Sequence, residues 1–210
     1  MTAYLTVPGT GEAELVIKRS RFIGRIAPAQ TPEAALEFLA GIRAKHRDAS
    51  HNVWAYSLRD GQMRCSDDGE PQGTAGMPVL DTLLKQDLVD CVVVVTRYFG
   101  GTLLGTGGLT RAYGQSASEA IAAAGAVVMA PCRVLRVTCD YSFYGALQRL
   151  IPAFGGTILD AQFTGETAIF LRLRAEDAGA FIAQLIEKSN GRARAETVRE
   201  EFAALEVSRQ

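Results

Sequence analysis

Apolar residues in this chain recur either at every second position or at every third and fourth, and the two spacings alternate from end to end. The first spacing opens at residues 13–18 and resumes at 20–23, which predicts two strands. Thr31-Pro32-Glu33 then carries a helix-start signal, with Thr as N-cap and Pro at the first helical position. Ala35, Leu39, Ile42 and His46 follow on one helical face. Residues 52–59 alternate as a strand, Asp60-Gly61 marks a hairpin turn, and 62–65 returns. A second helix begins at Pro78, with Val79, Leu80, Leu83 and Leu84 facing inward. Residues 91–95, CVVVV, show no polar alternation, so they predict a strand covered on both faces. A glycine-dense loop over 100–108 leads to a small-residue helix over 109–124, stopped by Gly125.

Ala130-Pro131 reads as a break, and a shorter cycle follows it. It comprises a strand over 134–139 and a helix over 144–154 that turns Leu147, Leu150 and Ile151 inward and is closed by Gly155-Gly156. Strands over 158–164 and 167–174 are joined at Gly165-Glu166. A helix over 177–189 follows, with Phe181, Ile182, Leu185 and Ile186 inward, and then a last strand over 192–199. That order, βαββαβ, is the split-βαβ pattern of a ferredoxin-like domain. The expected fold class is therefore α+β in two domains, 1–132 and 133–210, with no linker-like stretch between them.

Composition narrows the function classes. With 210 residues, 48% hydrophobic and 21% charged, the chain can bury a real core and lacks the polarity of a disordered one. Its apolar runs fall well short of the roughly 18 residues a membrane helix needs, and its N-terminus carries no secretory pattern. The expected location is the cytoplasm, with no membrane partner. Cys65, Cys91, Cys132 and Cys139 lack metal-ligand spacing and read as buried free thiols, so no disulfide-linked partner is expected. Twenty-two basic against 23 acidic residues give a net charge of −1, so any RNA contact needs a local patch rather than bulk charge.

Two stretches carry candidate chemistry. In SDDGEPQGTAGMP, residues 66–78, the carboxylates Asp67, Asp68 and Glu70 suit turn chemistry, recognition, or a hard cation. The EF-hand ligand pattern is absent, and neighbours on one loop rarely supply a catalytic acid–base pair. The glycine loop suits either close backbone packing or an anion site at a helix N-terminus, offering Arg97, Tyr98, Gly100, Gly101, Gly105, Thr106, Gly107, Gly108, Thr110 and Arg111. Gly100 and Gly105 have P-loop separation, but Thr106-Gly107 stands where Lys-Ser/Thr would be needed. His51 and His46 lack a nucleophile context. Arg136, Arg172, Arg174, Arg192 and Arg194 could form a basic sheet face in the second domain, interrupted by Asp140 and Glu196. No catalytic residue, metal or cofactor is assigned.

KRSRFI at 18–23, ASH at 49–51, the DDGEPQGTAG block and RYFGGTLLGTGGL at 97–109 together resemble the IMPACT family, in its bacterial, YigZ-type branch. The resemblance implies a ribosomal-protein-like α/β first domain, as in the fourth domain of elongation factor G. It implies a ferredoxin-like second domain, as in that factor's fifth. Eukaryotic members regulate translation by binding the large activator of an initiation-factor kinase. The implied function is a non-enzymatic binding module for RNA, the ribosome or a translation-related protein. Lys18, Arg21, His51, Asp67, Asp68 and Glu70 would orient the glycine-loop residues. This chain has Asn52 where bacterial relatives can carry a second His, which argues against paired-histidine chemistry. The competing expectation is a magnesium-dependent, kinase-like enzyme binding a nucleotide or small-molecule phosphate; a protein-only adaptor is the third.

Overall fold

The computed structural model describes residues 2–164 and 166–204. Its architecture is mixed α+β, in two compact units: 4–128, and 129 onward together with the extreme N-terminus. Among the described residues no helix is long and apolar enough to cross a membrane.

The first unit begins with a short strand missed by periodicity, β1 (Tyr4–Thr6), and continues with β2 (Gly11–Ile17), β3 (Ser20–Pro28), α1 (Pro32–Lys45), β4 (His51–Ser57) and β5 (Met63–Ser66). Then come α2 (Gly76–Lys85), β6 (Cys91–Tyr98) and α3 (Thr106–Ala124). Five strands form an antiparallel sheet in the order β2-β3-β6-β4-β5. The central β6 explains the unbroken CVVVV run. Cys91, Val93 and Val95 enter the core beneath α2 and α3, while Val92 and Val94 enter a second core beneath α1. As expected, Thr31 caps α1, its hydroxyl accepting from the Ala34 N–H at 3.2 Å.

In the second unit β7 (Val127–Cys139), α4 (Tyr144–Ala153), β8 (Thr157–Thr164), β9 (Glu166–Arg174), α5 (Ala178–Lys188) and β10 (Arg194–Ala204) follow the βαββαβ order. The sheet runs β10-β7-β9-β8, with the inward residues of α4 and α5 packed on Leu135, Val137, Ile169 and Leu171. Gly165, half of the expected β8–β9 turn, lies outside the described residues.

Several expectations need correction. Ala130-Pro131 does not break the chain: β7 runs through it, with Pro131 opposite Phe202. Proline is tolerated where no ladder donor is required, and its carbonyl still accepts the Ala175 N–H at 2.9 Å. Leu84 and Ile186 are exposed, because each is the outermost residue of an apolar stripe wider than the face its helix buries. His46 is the C-cap of α1 rather than part of its buried face. The last strand begins two residues later than expected and extends to Ala204. Cys65 is half-buried, while Cys91, Cys132 and Cys139 are buried as expected.

Candidate functional site

Strand register assembles the site. His51 and Phe22 both pair with Arg97 across β6, so all three project from the sheet face that carries α2 and α3. The acidic loop between β5 and α2 closes over the same row. Glu70 Oε1 accepts from Arg97 Nη1 at 2.5 Å and from the Tyr113 hydroxyl, on α3, at 2.7 Å. The Glu70 and Arg97 side chains are 4% and 6% exposed, so this is a buried, charge-assisted pair. Arg97 also reaches Ser20 Oγ at 3.4 Å and sits between the Phe22 and Phe99 rings, 5.4 and 5.5 Å from their centroids. Burial, and next the adjacent Glu70 carboxylate, push the Tyr113 phenol far above its ordinary range.

His51 lies beside this pair. Its Nδ1 is 2.9 Å from the Asp68 carbonyl oxygen. A carbonyl only accepts, so Nδ1 carries the hydrogen and Nε2 is left facing Glu70 Oε1 at 3.8 Å.

The three carboxylates of the acidic loop turn to three different tasks. Asp67 accepts the N–H groups of Gly73, Ala75 and Gly76 at 2.8–3.0 Å, serving the α2 N-terminus, which has no local side-chain cap. Burial opposes ionisation of Asp67, but these three backbone donors outweigh it and hold its pKa below the ordinary value. Asp68, at φ +44°, pairs with Arg43 of α1 and accepts the Asn52 N–H at 2.6 Å. Glu70 holds Arg97. Among the described residues no group of three or more His, Cys, Asp or Glu side chains is arranged to hold a metal ion.

The glycine segment divides between packing and exposure. A Cβ on Gly100 would collide with the Arg19 carbonyl, and the Gly100 N–H donates to Ser20 Oγ at 3.2 Å. The β2–β3 turn, with Lys18 and Arg19 both at positive φ, is thereby set against the start of the segment. Gly101 and Gly105 have φ of +79° and +74°, a left-handed backbone that favours glycine. Thr106, Gly107 and Gly108, expected in the loop, form the first turn of α3, which has Gly105 as N-cap and no side-chain cap.

Pro71, Phe99, Leu103, Leu104 and Leu109 wall a largely apolar cavity of about 410 Å³, and His51, Glu70, Arg97, Gly105 and Thr106 supply its polar edge. Thr110 and Arg111 are not part of it. They line a separate cleft between α2 and α3 with Asp81 and Lys85. Arg21 and Tyr98 lie on the opposite face of the sheet, paired across β3 and β6. There Arg21 bonds Glu14 at 2.7 Å, while the Tyr98 hydroxyl bonds His46 Nδ1 at 2.8 Å. Ser20, Arg43 and Tyr113 were missed as contributors. Only Tyr113 left a signal, its helical spacing with Leu109 and Ala112.

In the second unit Arg136, Arg172, Arg174 and Arg194 share the sheet face opposite the core, whereas Arg192 lies before β10. Arg136 pairs with Glu196, Arg172 with Glu201, Arg174 with Glu176 and Arg192 with Asp140, at 3.0–3.7 Å. The face is therefore charge-mixed rather than basic.

Residues 18–121 match the Impact N-terminal domain, and residues 137–192 match a domain of unknown function, DUF1949. The chain is 36% identical to the IMPACT family member YvyE of Bacillus subtilis, over 90% of this chain and 88% of that protein. It is 35% identical to the IMPACT family member YigZ of Escherichia coli, over 83% and 88%. Protein IMPACT of Bos taurus is 36% identical over 42% of this chain and 29% of its own. A crystal structure described as that of a hypothetical protein aligns with 95% of this chain and 98% of its own, at 32% identity and a TM-score of 0.62.

Proposed function

The chain belongs to the IMPACT family, and from that premise we propose that it is a non-enzymatic, cytoplasmic, translation-associated module that docks on ribosomal RNA. The observation that carries this reading is the fixed turn between β2 and β3. Arg21 and Arg25, just beyond it, are held by Glu14 and Glu12. Lys18 and Arg19 are exposed and have no carboxylate partner among the described residues. Gly100 packs on the backbone of this turn, which sets two unpaired cations beside the exposed Phe99, Gly101 and Thr102. Cations for phosphate and an aromatic face for a base are what single-stranded or looped RNA requires. Arg97 acts here as an organiser: its charge is matched by Glu70, and its ring contacts position Phe99.

Arg97→Ala is a poor probe of docking, because it strands a buried carboxylate. Gly101→Glu is a poor one too, because it strains a left-handed backbone. The informative variant is Lys18→Glu with Arg19→Glu, which keeps the turn and reverses its charge. Co-sedimentation with bacterial ribosomes over a salt series should show binding that weakens as salt rises and is lost in the double variant. Binding that ignores both salt and the charge reversal would instead indicate a protein-only contact.

A further inference from the structure

The acceptors at the edge of the α3 cavity point to the part of an RNA that would enter it, an inference that rests on the docking reading above. Gly100 packs on the Arg19 carbonyl, and its neighbour Phe99, whose N–H donates to Ser50 Oγ at 3.1 Å, belongs to the cavity wall. The turn that would hold phosphates and the wall that would hold a base thus adjoin through two consecutive residues. The cavity, about 410 Å³, is within the range of small-molecule sites. Phe99, Leu103, Leu104 and Leu109 give it the apolar surface on which the face of a base rests.

Its inner edge offers acceptors without donors. The Glu70 side chain is 4% exposed, yet only Oε1 is engaged, by Arg97 and Tyr113. Oε2 has no hydrogen-bond partner among the described residues and is not sealed from solvent. A carboxylate oxygen this deep is ordinarily met by a donor. His51 Nε2 is a second acceptor: with the hydrogen on Nδ1, it faces Glu70 Oε1 at 3.8 Å with no hydrogen between them. Two acceptors so placed repel, and a ligand that donates to both the imidazole and the carboxylate relieves the repulsion.

Charge narrows the class. The free oxygen of Glu70 repels an anion, and the positive end of the α3 dipole disfavours a cation at the same edge. A neutral ligand with neighbouring donors and a flat apolar face fits both. Among the RNA bases guanine alone sets two donor groups side by side, its ring N1–H and its exocyclic amine. We propose that this cavity receives an unstacked guanine, its N1–H and amine donating to Glu70 Oε2 and His51 Nε2 and its face against Phe99 and Leu104.

The full chain, ¹⁵N-labelled, is titrated with the RNA pentamers UUGUU, UUIUU and UUAUU, where I is inosine, which lacks the exocyclic amine. All three should shift the amides of residues 18–20. UUGUU should also shift those of His51, Phe99 and residues 103–106, and should bind about tenfold or more tightly than UUAUU, a difference of about 1.4 kcal/mol, with UUIUU between them. Leu104→Trp fills the cavity from a half-buried position. With its fold confirmed by Tm, it should reduce UUGUU to the affinity of UUAUU and keep the shifts at 18–20; the wild-type base series stands whether or not the variant folds. Equal affinities for the three pentamers would overturn the pocket and leave docking standing. So would shifts at the turn with none at the cavity, or a guanine preference that folded Leu104→Trp retains. A guanine preference with cavity shifts but none at 18–20 would overturn docking through the turn and keep the pocket. No shifts from any pentamer would overturn both.

Discussion

Single side chains carry unequal burdens in the acidic loop, and Asp67 and Glu70 separate them best. Asp67 caps α2 from outside the helix. Asp67→Asn keeps the shape but leaves one acceptor oxygen for three donors, and should cost about 1–2 kcal/mol at neutral pH by chemical denaturation. The folded-state pKa of Asp67 is lowered. Its contribution is therefore complete above the ordinary carboxylate value of 3.8 and is lost as pH falls through the lower folded value. Wild type should accordingly lose stability faster than Asp67→Asn on acidification below that point, and the two curves should converge. The Glu70–Arg97 pair predicts a different outcome. Arg97→Ala should cost about 3–5 kcal/mol, because it leaves a carboxylate buried without its cation. Adding Glu70→Gln should recover part of that loss, and a double-mutant cycle measures the coupling. Purely additive losses would rule the pair out as the organiser of this site.

Helices and strands meet at glycines whose roles sequence cannot distinguish. Gly24 on β3 faces α3, and a Cβ there would lie 2.9 Å from the buried Ser116 Oγ and nearer still to that residue's carbonyl. Gly24→Ala should push α3 off the sheet at a cost of about 1–3 kcal/mol. Gly41, inside α1, has nothing within 4 Å of its Cβ position and an ordinary helical backbone. Gly41→Ala should stabilise by about 0.5–1 kcal/mol, since alanine loses less backbone entropy on folding. Opposite signs for the same substitution, read by thermal melts, would establish which glycines the packing requires. The helix starts follow the same logic. The start of α1 was legible because Thr31 and Pro32 are local signals, whereas α2 is capped by a residue nine positions away.

Across the whole molecule each unit closes its own core. Among the described residues, the cores above and below the five-stranded sheet draw on residues within 4–128, and a third core draws on residues beyond 129. A fragment of residues 4–128 should therefore unfold cooperatively by itself, with a denaturant slope appropriate to its size. A broad, non-cooperative transition would show that its core depends on the rest of the chain.

Sequence by itself determined the order and type of nearly every element, because apolar periodicity and capping residues act within a few positions of one another. It marked β6 as covered on both faces and singled out the two motif blocks that meet around Glu70 and Arg97. Tertiary structure alone decided what those residues do. Register placed His51, Phe22 and Arg97 on one face and turned Arg21 to the other, a choice fixed by the two-residue period of strand pairing. Folding also directed three adjacent carboxylates to three separate partners, sent Arg111 to a different cleft, and matched most of the second unit's arginines with carboxylates. Ion pairs and cavities join residues distant in sequence, so short-range patterns name the participants but leave their partners open.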